Sequence, residues 1–363
     1  MLCVGSSAER RRVPITKHFR TTKRMAVALA NHKRRQQMNF RYALAAGALT
    51  LTFAQAASAA TWDFSTPWPD TNFQAKAAKQ FADAVREATD GEVDISVLSA
   101  GSIGVSGSES MAAVESGIVQ MADYLLFLQA GEEPLLAIDT LPYLIQGQDE
   151  MAAFLKVAGP AFDQIAEKHN QKILYYVPWP SPGLYSRTKI TTDEELKGQR
   201  IRAFNPASFT FLTKLGAAPL EMPWGDVVPA LAAGTIDGVA TSTSSGVDGK
   251  LWDTTSFFNP LQWSTSTDVV TVSLDAWNSL SADEQQAIED VVAKLEPEFW
   301  AMSAAEDQGK TEILVENGIT VTEADPSMRQ AMSDSGHAMW DEFIAKVPEA
   351  GPIIDTYKAS AAK

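Results

Sequence analysis

From Ala60 onward the sequence alternates short strand-like stretches with amphipathic helices, and this alternation narrows the fold more than any other feature. Trp62 to Thr66 reads as a strand. From Asn72 a helix keeps Phe73, Ala77, Phe81, Ala84 and Ala88 on one face until Asp90-Gly91 stops it. Val93, Ile95 and Val97 then alternate with Asp94 and Ser96 as a second strand. A β-α-β opening favours parallel pairing, because a parallel connection needs a crossover. The pattern continues with a buried strand at Met121 to Leu128, a helix from Asp149 to about His169 and an apolar strand from Lys172 to Val177. Further strands are predicted at Arg200 to Phe204, Thr235 to Ala240 and Val269 to Leu274, with helices at Ala207 to Leu215 and Gly225 to Ala233. Such alternation defines the α/β class.

The last third is helical. Ser281 with Glu284 three residues on forms a capping box, and Ile288, Val291, Val292, Leu295, Phe299 and Met302 keep helical spacing toward Gly318. A helix of about 36 residues is ~55 Å long, more than one small domain spans, so it is expected to run along two lobes with a kink at Pro297. The chain has no repeat and no low-complexity linker. Two lobes joined by chain crossovers therefore fit better than separate beads. Residues 60–182 with about 266–295 make lobe I, and 183–265 with about 296–363 make lobe II with the C-terminal helices.

The first 59 residues differ in kind. Basic residues fill Arg10 to Arg41, an apolar run covers Ala43 to Ala57, and Ala57-Ser58-Ala59 supplies a small-x-small cleavage signature. The apolar run, 15 residues, is shorter than the ~20 that span a bilayer. It reads as a signal peptide cut after Ala59, with Met25 or Met38 as alternative starts, which places the mature chain in the periplasm. Removing 59 of the 363 residues leaves 304, enough for two domains with cores. The leader carries 11 of the 30 basic residues and one of the 45 acidic ones, so the remainder has a formal net charge of −25. That balance excludes nucleic acid and anionic lipid as partners, since both need basic patches.

Catalytic and metal chemistry find little material. Cys3 lies in the leader, and His169 and His337 are the only histidines beyond it. No Gly-x-Ser-x-Gly elbow, P-loop or His-x-x-x-His pair occurs, and Gly101 to Gly107 lacks the lysine of a phosphate cradle. No enzyme activity, cofactor or metal is expected.

The informative stretch runs from Asp193 to Thr241. It contains Leu196-Lys197-Gly198-Gln199-Arg200-Ile201-Arg202, then Leu215-Gly216-Ala217, then Met222-Pro223-Trp224, then Ala230-Leu231-Ala232-Ala233-Gly234-Thr235-Ile236-Asp237-Gly238. This order resembles the solute-binding subunits of tripartite ATP-independent periplasmic (TRAP) transporters of the DctP type. Leu141-Pro142-Tyr143 and the long late helix extend the resemblance over the mature chain. It implies a two-lobed periplasmic binding protein fold, type II-like, with mixed sheets flanked by helices and a cleft that closes by hinge motion.

The resemblance implies that Arg202 clamps a ligand carboxylate, which suits a planar guanidinium. By sequence alone Arg200 and Arg202 read rather as solvated surface charges, since arginine is rarely buried unless paired, and it is the resemblance that reverses the reading. Asn205 matches a position that hydrogen-bonds ligand, although before Pro206 it is also an ordinary helix cap. Trp224 matches an aromatic wall position. Thr241 and Ser242 fall where the family has an asparagine, a departure that implies a different polar end on the ligand. Trp68, Tyr124, Trp179 and Trp263 lie on or beside predicted strands and are candidates for further walls, with core packing as the alternative for each. Arg187 lies near, but not on, the family's second arginine position.

The expected function is capture of a small organic anion, a carboxylate or sulfonate, and its delivery to the small and large TRAP membrane subunits, by a monomer. The rival readings are a binding subunit of another importer or sensor and, from another class, a secreted hydrolase.

Overall fold

The computed structural model describes residues 59–361. The basic and apolar parts of the leader lie outside them. The chain runs β1 (Ala60–Ser65), α1 (Phe73–Ala88), β2 (Val93–Leu98), α2 (Ser110–Glu115), β3 (Met121–Leu125), α3 (Gln148–Lys168) and β4 (Gln171–Trp179). After this come β5 (Gly183–Ser186), α4 (Asp193–Leu196), β6 (Ile201–Ala203), α5 (Pro206–Lys214), β7 (Leu220–Glu221), α6 (Trp224–Ala232), β8 (Gly238–Thr241), α7 (Thr243–Asp248) and β9 (Phe257–Asn259). The remainder is β10 (Ser266–Ser273), α8 (Leu274–Ser279), α9 (Ala282–Glu316), β11 (Thr320–Val321), α10 (Pro326–Lys346) and α11 (Ala350–Ala361).

Two mixed sheets result, as the sequence predicts. Lobe I holds strands in the order β2-β1-β3-β10-β4, with β1 parallel to β2 and β3, and β10 antiparallel to β3 and β4. Lobe II holds β11-β9-β5-β8-β6-β7, with β6 parallel to β7 and β8. The chain crosses between lobes after Trp179 and returns before Ser266. Apolar clusters cover both faces of each sheet.

Local signals explain most element ends. Asn72 caps α1 by accepting from the Gln74 backbone N–H at 2.9 Å. The face α1 buries is Phe73, Ala77, Phe81 and Val85, whereas the predicted Ala88 is exposed. Ser281 and Glu284 form the predicted capping box at α9, with the Ser281 N–H donating to Glu284 Oε2 at 2.6 Å.

Helix α9, 35 residues and ~52 Å long, ties the lobes together. Ile288, Val291, Leu295 and Phe299 sit in the lobe I core, and Leu314 sits in the lobe II core. The helix also seals the open edge of β4, where an unpaired strand would invite association. Glu296 accepts from the Tyr176 N–H at 3.1 Å, Trp300 Nε1 donates to the Tyr176 carbonyl at 2.7 Å, and the Ser303 hydroxyl donates to the Pro178 carbonyl. Lobe I contacts thus persist beyond the boundary expected near residue 295. The C-terminal helix departs from expectation as well. Ala350, Ile354 and Tyr357 of α11 pack in the lobe I core, with Tyr357 edge-on to Phe154 at 5.4 Å.

Phe299 is fully buried and meets Tyr175 with ring centroids 5.4 Å apart. Phe299→Ala is expected to cost about 3–5 kcal/mol of unfolding free energy in urea titrations. A loss below about 1 kcal/mol would show that α9 does not anchor lobe I.

Candidate functional site

Arg202 lies in the middle residue of β6, in register with Val239 of β8 and Leu220 of β7. Because side chains alternate along a strand, Arg202 points away from the Ile201 and Ala203 face, toward the side that α6 covers. Its side chain is 5% exposed. Nε donates to the Met222 carbonyl at 3.2 Å and Nη1 to the Ala240 carbonyl at 3.3 Å. The half-buried Trp224 presents its ring 5.8 Å from the guanidinium carbon. Gly249 lets that indole approach, since a Cβ there would come within 2.9 Å of it.

Among the described residues no carboxylate forms an ion pair with Arg202. Glu221 acts on it only at longer range, and burial pushes the guanidinium down to about 10 against that pull. Two of its five N–H donors are used, and Nη2 has no protein acceptor among the described residues. Arg200, two residues earlier, is the opposite case. It is exposed and grips Asp237 through both oxygens, Nε to Oδ2 at 2.9 Å and Nη2 to Oδ1 at 2.6 Å. The motif aspartate therefore fastens β6 to the turn before β8 and leaves the cleft arginine free.

Thr241, the last residue of β8 and two residues beyond Val239, shares the Arg202 face. Ser242 caps α7, and its hydroxyl accepts from Trp179 Nε1 at 3.0 Å, a contact between the lobes. Trp179 stacks on Trp68 with centroids 4.3 Å apart. Trp68 Nε1 in turn donates to Asp268 Oδ2 at 3.1 Å. The end of β8 thus joins two groups, Arg202 with Trp224 on one side and the Trp68–Trp179 pair on the other.

Asn205 serves the cap, since its Oδ1 accepts from the Ser208 N–H at 2.8 Å, and its Nδ2 donates across the cleft to Thr140 Oγ1 at 3.0 Å. Three other candidates lie elsewhere. Tyr124 points to the opposite face of β3, into a buried cluster, where its hydroxyl donates to Gln171 Oε1 at 3.1 Å. A strand position one residue off faces the wrong side. Trp263 is 1% exposed and fills the lobe II core between Phe204 and Phe211. Arg187 follows the end of β5 that pairs with Gly238, the strand end opposite Thr241, and donates to the Leu231 carbonyl.

The cleft also gathers residues that the sequence reading passed over. Phe127 of lobe I meets Phe204 of lobe II with centroids 5.5 Å apart, and Asn72 Nδ2 donates to Asp248 Oδ2 at 2.8 Å. Phe204 ends a predicted strand, which is a usable signal. Asn72 and Asp248 carry none, because each is an ordinary polar residue at a helix end.

A buried guanidinium without a carboxylate, at the meeting of two α/β lobes whose strand ends face each other, is the arrangement of a solute receptor. The profile of the bacterial extracellular solute-binding protein family 7 (DctP) matches residues 64–346, and the chain belongs to this family, the DctP-type solute-binding subunits of TRAP transporters. It is an extracytoplasmic solute receptor and not an enzyme.

Among its relatives, the ectoine/5-hydroxyectoine-binding periplasmic protein UehA of Ruegeria pomeroyi is 24% identical over 88% of this chain and 96% of its own length. The 2,3-diketo-L-gulonate-binding periplasmic protein YiaO of Escherichia coli is 26% identical over 86% and 96%. The crystal structure of DctP7, a Bordetella pertussis extracytoplasmic solute receptor binding pyroglutamic acid, superposes with a TM-score of 0.79 at 29% identity, covering 83% of this chain and all of that one. No helix among the described residues is long and apolar enough to cross a membrane.

Asp139, beside Thr140, is fully buried, accepts from the Thr267 N–H at 2.7 Å and leaves Oδ1 without a partner. Burial pushes its carboxyl up to about 7. A raised carboxyl stabilises the fold fully below its ordinary value of 3.8, and that contribution is lost as pH rises through about 7. Between roughly pH 4 and 7 the unfolding free energy should therefore fall, by at most ~1.4 kcal/mol per pH unit for this group. Asp139→Asn should flatten the decline in urea titrations. An unchanged slope would place the proton elsewhere.

Proposed function

We propose that this protein captures a compact monocarboxylate, a ring acid of the pyroglutamate type, between its lobes and delivers it to the membrane subunits of a TRAP transporter. The observation that carries the reading is the Arg202 guanidinium, 5% exposed, with no carboxylate partner among the described residues and Nη2 unspent. A carboxylate fork would meet that guanidinium edge in charge-assisted hydrogen bonds. Trp224 and the Trp68–Trp179 pair would wall an apolar ring.

The scarcity of free polar groups supports a small ring acid over a polyhydroxylated sugar acid. Asn205 is engaged at both ends of its amide, and Ser242 already accepts from Trp179. Two further solute receptors support the same class, DctP6 of Bordetella pertussis at 25% identity and a marine metagenome TRAP protein at 27%, both described as binding this acid.

A thermal-shift panel of pyroglutamate, ectoine, hexuronates, aldonates and sulfonates tests the reading on the exported chain. Pyroglutamate at a hundred times Kd should add about 2.7 kcal/mol of stability and raise Tm by several degrees. Arg202→Ala should weaken binding by about 2–5 kcal/mol in calorimetry. A folded Arg202→Ala variant with wild-type affinity would remove the central claim, and a response confined to sugar acids would replace the ligand class.

A further inference from the structure

Behind the aromatic wall, lobe I buries two carboxylates that no cation neutralises. Asp123 of β3 and Asp268 of β10 lie on adjacent antiparallel strands, Asp123 opposite Val270 and Asp268 opposite Leu125, so they are diagonal neighbours on one face. They are 1% and 2% exposed, and each keeps one oxygen, Oδ1, without a hydrogen-bond partner. Neither forms an ion pair with lysine, arginine or histidine among the described residues. The groups facing them are the Thr66 hydroxyl at Asp123, the Trp68 indole on Asp268 and, from β4, the Tyr175 hydroxyl. Glu296 of α9 lies beyond Tyr175 and acts on it in turn.

An apolar core does not retain unpaired acids for stability, since well-packed hydrocarbon would cost less. What distinguishes this pair is its single outward contact. Asp268 Oδ2 accepts from Trp68 Nε1, Trp68 stacks on Trp179, and Trp179 reaches Ser242 of the other lobe. Trp68 is half-buried and lies in the loop between β1 and α1 rather than on a rigid element, so this hydrogen bond fixes where its ring stands.

We propose that Asp268 is a positioning residue, a buried acceptor that orients the Trp68 indole in the cleft wall. The role of Trp68 in capture rests on the cleft reading above; the orientation itself does not. Burial pushes Asp268 up to about 8, and burial together with the Asp268 charge holds Asp123 well above the ordinary carboxylate range, so Asp268 ionises first. Ionising Asp268 strengthens the indole hydrogen bond, because a charged acceptor binds a donor more tightly than a neutral one.

The test uses the exported chain labelled with 15N at its tryptophan indoles, with the Trp68 resonance assigned by its loss in Trp68→Phe. Raising the pH should move that resonance downfield, with an inflection well above the ordinary carboxylate range. Asp268→Asn should abolish the inflection, and Asp123→Asn should leave it in place, because Asp123 is still neutral when Asp268 ionises. In calorimetry with L-pyroglutamate, Asp268→Leu and Trp68→Phe should each weaken binding by roughly ten- to a hundredfold, the cost of leaving a buried hydrogen-bonding group without its partner. Asp268→Asn keeps an acceptor oxygen and should stay within about threefold of wild type. A Trp68 resonance that does not titrate, or Trp68→Phe binding as wild type does, overturns the proposal. If the wild-type chain ignores L-pyroglutamate, the ligand reading fails alone and the indole titration decides the role of Asp268 by itself.

Discussion

A guanidinium taken out of water is the constraint around which lobe II is arranged. Arginine is rarely buried unless paired, and the two carbonyls that Arg202 meets, of Met222 and Ala240, supply partial charge only. The strand that carries it shows the contrast at a spacing of two residues. Arg200 is satisfied by the bidentate Asp237 at the far end of the strand, so the fold has not spent its carboxylate on Arg202. The unpaired charge is tolerable because Trp224 offers its ring face and because an anion can complete the set.

On the proposed capture of an anion, that unfinished charge would couple ligand to lobe closure. Each interlobe contact beside it is modest: Trp179 on Ser242, Asn205 on Thr140, Asn72 on Asp248. Each exchanges water hydrogen bonds for protein ones at a net gain of about 1 kcal/mol. Such contacts select the closed geometry without holding it against an uncompensated arginine. An anion that binds only where both lobes meet supplies the differential affinity that a shift between open and closed states requires. The strand crossovers and α9, anchored by Phe299 in one lobe and Leu314 in the other, would keep such a motion to a hinge.

Much of this was legible in the sequence, and the failures share a cause. The capping box at Ser281 and the apolar spacing after it are local signals, and α9 runs 35 residues as they specify. The Leu196-to-Gly238 motif singles out Arg202, and the spacing of its glycines and acids is dictated by turns around β6 and β8. Tyr124 and Trp263 were misplaced because a tryptophan or tyrosine near a strand end has two faces to choose from, and only packing decides. β5 and β9, of four and three residues, are too short to show a period of two. The Asp123–Asp268 pair was invisible for a different reason. In a chain with 45 acidic residues, two more aspartates at 145 residues' separation carry no signal until strand pairing brings them together.

The same acidity bears on how an anion reaches the site. A formal charge of −25 on the chain beyond Ala59 opposes approach at long range. At physiological ionic strength, however, that field decays over about 8 Å, so most of the surface charge is silent at the cleft. Inside, the balance reverses. Arg202 is desolvated, and its interaction with a carboxylate at contact is several times what the same pair would gain in water. Lowering the salt lengthens the reach of the repulsion but leaves the buried pair nearly untouched, so ionic strength should act on the association rate more than on dissociation. On the proposed reading, affinity would be set by one local cation and its walls, which would let a strongly acidic protein serve an acidic solute.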